Sequence, residues 1–195
     1  MVNDFIGEIK VMESFKGMQN IVSIEDFKVV KKTDGVGWRI YIRMELLTPF
    51  NQYVSSHPLT EGDIIRLGTE ICTALEYCQS RDLIHRDIKP ENIFVNDFGC
   101  FKLGDFGIAR KLESMTSGMS QKGTMSYMAP EVAHGVRYDQ RVDICSLGLV
   151  LYRLLNNGCP PFMTDRCSVR RCAPNQGSSA WAEFPCRSRR TALRR

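Results

Sequence analysis

Apolar residues at helical spacing open the chain. Phe5, Ile9, Met12 and Phe15 recur behind Asn3 or Asp4, either of which can cap a helix, and Gly17 ends the run. The period then changes. Ile21 to Val30 reads as a strand, followed by the turn signal Asp34-Gly35. Trp38, Ile40, Ile42 and Met44 alternate with Arg39, Tyr41 and Arg43, which predicts a second strand with one buried face. Thr60 and Asp63 have the spacing of a capping box, and the helix behind them carries Ile64, Leu67, Ile71, Leu75 and Cys78 on one face. Leu83-Ile84, Ile93-Phe94-Val95 and Phe101-Lys102-Leu103 read as short strand pieces. Residues 141–155 are apolar nearly all round, which predicts a buried helix.

Composition narrows the class. The 195 residues are 43% hydrophobic and 25% charged, which suits one soluble globular domain with a real core. The start Met1-Val2-Asn3-Asp4 is acidic rather than basic, unlike a signal peptide. The longest uncharged apolar run, Ile144 to Tyr152, falls far short of the ~20 residues that span a bilayer. A cytoplasmic location with no membrane partner is therefore expected. Among the eight cysteines, Cys72, Cys78 and Cys145 fall inside apolar helical patterns and no pair has CxxC spacing, so neither a disulfide framework nor a zinc site is expected.

The net charge of +4 is unevenly spread. Residues 1–162 carry 18 Lys and Arg against 20 Asp and Glu. Residues 163–195 carry eight Arg and no Lys, with only Asp165 and Glu183 opposed to them. This segment reads as a disordered or out-of-frame extension rather than a nucleic-acid-binding arm, because a charge run without an ordered scaffold is usually disordered. No nucleic-acid partner is expected.

The chemistry is concentrated in His85-Arg86-Asp87-Ile88-Lys89-Pro90-Glu91-Asn92. Phosphoryl transfer needs a carboxylate to orient a hydroxyl, a cation for the phosphate and an oxygen ligand for magnesium, and all three types lie between Asp87 and Asn92. Seven specified letters match a random site on the order of once in 10⁹, so chance is a poor explanation. Asp105-Phe106-Gly107 follows 18 residues after Asp87, and Ala129-Pro130-Glu131 ends 26 residues after Asp105. Alone, the first would read as a turn and the second as a helix start. In this order and spacing, the three segments resemble the catalytic loop, the magnesium-binding turn and the end of the activation loop of protein kinases.

That resemblance implies an α+β protein-kinase fold, with ATP as nucleotide and Mg²⁺ as cofactor. Asp87 resembles the catalytic base and Lys89 the cation that steadies the transferred phosphate. Lys89 also resembles the serine/threonine rather than the tyrosine branch, so protein substrates with Ser or Thr are implied. Asn92 and Asp105 match the two magnesium ligands, hard oxygen donors that suit the ion. Met44-Glu45-Leu46-Leu47 resembles the hinge that binds adenine through the Glu45 carbonyl and the Leu47 amide, with Met44 as gatekeeper. Glu8 matches the small-lobe glutamate that pairs with the ATP-binding lysine. Arg86 resembles the receiver of an activation-loop phosphate, for which Ser114, Thr116, Ser117 and Ser120 are candidates; Thr124 matches a loop threonine facing the catalytic residues. Glu131 and Asp143 match structural carboxylates, Asp143 as a brace for the catalytic loop.

The resemblance divides the chain into residues 1–47 (a small-lobe remnant), 48–162 (a partial large lobe) and 163–195 (the Arg-rich tail). A Gly-rich loop and a Val-Ala-Ile-Lys strand are missing ahead of Glu8, as are the remaining large-lobe helices after Phe162. The expectation is therefore a kinase truncated at both ends, with Met1 an internal start. The Tyr138-to-Phe162 stretch resembles bacterial kinases of the eukaryotic type. The alternative is a catalytically impaired kinase-like remnant that binds partners or has no function. Oligomeric state is left open.

Overall fold

The computed structural model describes residues 2–32, 37–106, 110–111 and 125–161. The turn expected at Asp34-Gly35 and the Arg-rich segment lie outside these residues. In chain order the elements are α1 (Val2–Glu13), β1 (Ile24–Lys31), β2 (Trp38–Met44), β3 (Thr48–Pro49), α2 (Phe50–Ser56), α3 (Glu61–Gln79), β4 (Leu83–Ile84), β5 (Ile93–Val95), β6 (Phe101–Leu103), β7 (Arg110–Lys111), α4 (Pro130–Ala133) and α5 (Arg141–Leu155). Single 3₁₀ turns occupy Pro90–Asn92 and Met125–Tyr127. This is the α+β architecture the sequence implied.

β1 and β2 form an antiparallel hairpin, with Phe27 opposite Ile42 and Val29 opposite Ile40. β1 begins later than the apolar run that predicts it. Ile21 instead bridges in parallel to Leu103, and the Val22 amide donates to the Leu103 carbonyl at 2.9 Å. The start of the run thus joins the sheet β3-β5-β6 rather than the hairpin.

β2 forms where expected, but its expected buried face does not. Trp38, Ile42 and Met44 remain 48%, 42% and 49% exposed. The cause is that β1 and β2 stand as a two-stranded sheet, with no third strand joining them among the described residues.

α3 is the spine of the core. The expected capping box closes its first turn: the Asp63 amide donates to Thr60 Oγ1 at 3.2 Å and the Thr60 amide to Asp63 Oδ2 at 2.9 Å. Ile64, Leu67, Ile71, Leu75 and Cys78 are all buried, as their spacing predicts. Leu67, Ile71, Leu75 and Cys78 share one core with Phe50, Phe101, Leu103, Leu147 and Val150. α5 packs on α3 at Gly68, where an added Cβ would lie 3.0 Å from Leu151 Cδ1. α5 is not buried all round, contrary to the apolar pattern. Val142, Leu147 and Val150 are buried, whereas Ile144, Tyr152 and Leu155 are exposed, because only one side of the helix meets other described elements. Cys72 is exposed too, unlike Cys78. Among the described residues no helix is long and apolar enough to cross a membrane.

Candidate active site

Residues 85–92 link β4 to the turn before β5, and α5 sets their path. The buried Asp143 carboxylate accepts the His85 amide at 2.8 Å and the Arg86 amide at 2.7 Å. Arg86 adopts φ 68°, a left-handed conformation that costs a non-glycine residue energy, and the Asp143 contact helps hold it there. Burial pushes the Asp143 carboxyl above its usual range, against the lowering effects of His85 and the two amides.

His85 is fully buried, and burial holds its imidazole below the ordinary value of 6.5 despite nearby Asp143, Asp87 and Asp105. Nε2 lies 3.0 Å from the Gly104 carbonyl, which assigns the proton to Nε2. Nδ1 then accepts the Asp87 amide at 3.4 Å.

Within this loop the predicted catalytic residues meet. Lys89 Nζ lies 2.6 Å from Asp87 Oδ2. Asn92 Nδ2 donates to the Asp87 carbonyl at 2.8 Å and to Asp87 Oδ2 at 3.1 Å. The amide nitrogen of Asn92 is thus committed, and its side-chain oxygen is the atom suited to a hard cation.

The Gly104 amide donates to the Asn92 carbonyl at 2.9 Å, which joins the loop directly to the segment carrying Asp105. Asp105 is exposed with φ 57°, while Phe106 is buried and meets the His85 ring edge-on at 4.7 Å. A Cβ at Gly104 would lie 2.8 Å from Phe94 Cε2 and 2.8 Å from Val22 Cγ2, so no larger residue fits without movement.

Asp105 opens onto a cleft of about 530 Å³ lined by Val22, Ile42, Met44, Leu47, Phe94 and Phe106 among others. This is an ordinary size for a cofactor pocket, and a mostly apolar slot with an oxygen donor at its edge suits a flat base carrying charged groups. Glu45 and Leu47 both line it. The Glu45 side chain, however, is held by Lys102 Nζ at 2.8 and 2.9 Å and by the Ser23 amide at 2.6 Å. Its carboxylate is therefore occupied, and the backbone of Glu45 is the part suited to a ligand.

The remaining predicted residues are distributed differently. Glu8 lies in α1, but its side chain is outside the described residues, as are Ser114, Thr116, Ser117, Ser120 and Thr124. Arg86 is buried, next in the chain to the equally buried Asp87. Glu131 is half-buried in α4, which starts at Pro130 as the helix-start signal predicts. Sequence reasoning missed Lys102 as the partner of Glu45. A lysine at the centre of the apolar triplet Phe101-Lys102-Leu103 was the available signal, because a buried lysine is rare without a partner.

A family model described as a protein kinase domain matches residues 2–181, which carries the likeness past Phe162 into the Arg-rich segment. The serine/threonine-protein kinase AtPK1/AtPK6 of Arabidopsis thaliana is 30% identical over 177 residues, covering 88% of this chain and 38% of that protein. A Bifidobacterium longum protein named "Probable serine/threonine-protein kinase PknB" is 38% identical over 156 residues, covering 75% of this chain and 22% of its own length. The serine/threonine-protein kinase shk2 of Schizosaccharomyces pombe is 32% identical over 164 residues, 82% of this chain and 26% of shk2. The chain therefore spans well under half the length of these curated relatives.

Proposed function

Because the chain belongs to the protein kinase family, with serine/threonine kinases among its relatives, we propose that it carries the catalytic core of an enzyme that transfers the ATP γ-phosphate to Ser or Thr hydroxyls of proteins. The observation that carries this reading is the cluster of Lys89, Asp87 and Asn92 joined through Gly104 to Asp105 at the edge of an apolar cleft.

In this reading the base of ATP sits against Met44, Leu47 and Phe94, with the Glu45 carbonyl and Leu47 amide as its hydrogen-bonding partners. Asn92 and Asp105 would hold Mg²⁺, which neutralises phosphate charge when bound. Asp87 orients the acceptor hydroxyl and takes its proton. Lys89, already against Asp87, supplies positive charge to the transferring phosphate. Asp143 fixes the loop backbone, so alignment costs little at the moment of reaction. Arg86 would receive a phosphate placed on Ser114, Thr116, Ser117 or Ser120, with Thr124 facing the catalytic residues. Residues 1–47 and 48–162 act as the two lobes, and residues 163–195 as an appended tail. The setting is the cytoplasm.

A second reading, a kinase-like binding module of low activity, is favoured by one feature. Ile42 and Met44 leave the cleft wall exposed. The 195-residue polypeptide used by itself has only seven residues ahead of Glu8, so it should turn over slowly whichever reading holds: losing one preorganised donor at a developing charge costs roughly 10²–10³ in rate. A radiolabelled-ATP assay on a basic protein separates the readings. It compares the 195-residue chain, its Asp87→Asn variant, and a version extended with the small-lobe strands and C-terminal helices of a close relative. Activity in the extended form that disappears with Asp87→Asn supports the kinase. An extended form that binds ATP but never transfers phosphate would establish the second reading.

A further inference from the structure

The contact between His85 and Phe106 belongs to the candidate site, but a second ring lies against Phe106. Phe15, just beyond the end of α1 and fully buried, meets Phe106 with ring centroids 5.3 Å apart. The Arg81 guanidinium carbon lies 4.9 Å from the centroid of Phe15. The same guanidinium joins two helix ends. Nη2 donates to the Ser14 carbonyl at 3.3 Å, while Nη1 donates to the Tyr77 carbonyl at 3.3 Å and to Ser80 Oγ at 3.2 Å. Ser14 follows α1, and Tyr77 and Ser80 lie at the end of α3. One side chain thus ties together segments 67 residues apart and lies against the ring that contacts Phe106.

We propose that Arg81 is a positioning residue for Asp105, acting through Phe15 and Phe106. Its planar fork reaches both carbonyls while its face or edge charge attracts the Phe15 ring, a combination an ammonium cannot reproduce. With Phe15 fixed, Phe106 is held between two rings, Phe15 and His85. Asp105 is the next residue back, and its left-handed backbone has few alternatives once Phe106 and Gly104 are both anchored. Freeing Phe15 lets Phe106 shift, and the Asp105 carboxylate must turn with it. The clamp stands on contacts alone; its catalytic meaning rests on the reading of Asp105 as a magnesium ligand.

Hydrogen exchange of the 195-residue chain tests the clamp without requiring activity. In Arg81→Met, amides of Leu103–Phe106 should exchange about tenfold faster, with Arg81→Lys in between and residues 64–75 of α3 unchanged. Phe15→Leu should speed the same amides, and adding Arg81→Met to it should change little more, since both act through one ring. Unchanged exchange at Leu103–Phe106 in Arg81→Met, a uniform rise across α3, or simple additivity with Phe15→Leu would each overturn the proposal. The Mg²⁺ concentration for half-maximal binding of fluorescent ADP by the extended form supplies the second readout. A severalfold rise in Arg81→Met supports the link to Asp105, and an unchanged Mg²⁺ requirement beside faster exchange refutes that link. Faster exchange in Arg81→Met, beside an extended parent that shows no Mg²⁺-dependent ADP binding, supports the clamp and counts against the phosphoryl-transfer reading instead.

Discussion

β2 contributes Ile42 and Met44 to the cleft, and β6 runs directly into Gly104 and Asp105 on its other side. All three residues of β6 are buried. It lies between β5 and the Ile21 bridge, Phe101 meets Phe50 at 5.9 Å, and Lys102 is paired with Glu45. Among the described residues β2 has one partner strand, β1, and six of its own seven residues are exposed. The half of the site that presents Asp87, Asn92 and Asp105 is thus determined several times over. The wall that would meet the base is held along one edge. Chemistry demands fixed donors before the ligand arrives, whereas an apolar wall can be completed by whatever comes to cover it.

The largest test of this contrast is truncation on each side. Phe101→Ala should destabilise the protein by about 3–5 kcal/mol in urea denaturation, whereas Ile42→Ala should cost less than about 1 kcal/mol. Equal costs would erase the distinction between the two walls.

Next in size is the brace. Asp143→Ala leaves the His85 and Arg86 amides without their acceptor and should cost about 3 kcal/mol; Asp143→Asn, with one oxygen retained, should cost less. Loss of phosphotransfer in the extended chain should follow the same order.

Smaller again is Gly104→Ala, whose Cβ would meet Val22 and Phe94 at 2.8 Å. About 1–3 kcal/mol is expected, together with weaker nucleotide binding, because both neighbours line the cleft. A neutral outcome in thermal melts would mean that the wall yields even at its base.

The smallest effect is on pH dependence. Burial lowers the His85 pKa from 6.5, so the unfolded chain takes up the proton first and stability falls as pH drops below 6.5. Asp143 opposes this at lower pH. Its carboxyl is raised from 3.8, so the folded state gains the proton first and stability is favoured as that group protonates. His85→Phe should keep the ring contact with Phe106 and remove the loss just below pH 6.5, as read from urea midpoints across pH.

The helix of Ile64, Leu67 and Ile71 and the three strand pieces near the catalytic loop were legible because their signals are local: a capping box, a 3.6-residue period, short apolar runs between breakers. The meeting of Asp87, Lys89 and Asn92 was legible for the same reason, since six consecutive residues and one turn place them together. The ion pair of Glu45 with Lys102 spans 57 positions, and the Arg81 contact with Ser14 spans 67. Nothing in the neighbourhood of either residue names its partner.

Local order and composition by themselves determined the longer elements, the capped start of α3, and the side-chain set gathered between Asp87 and Asn92. Tertiary structure decided which apolar faces are covered. β2 and α5 carry enough apolar residues to be buried, yet Met44 and Ile144 stand exposed while the equally apolar Leu67 and Phe101 are sealed. A hydrophobic pattern states that a side chain gains by leaving water; whether it does depends on a second surface arriving from elsewhere in the chain.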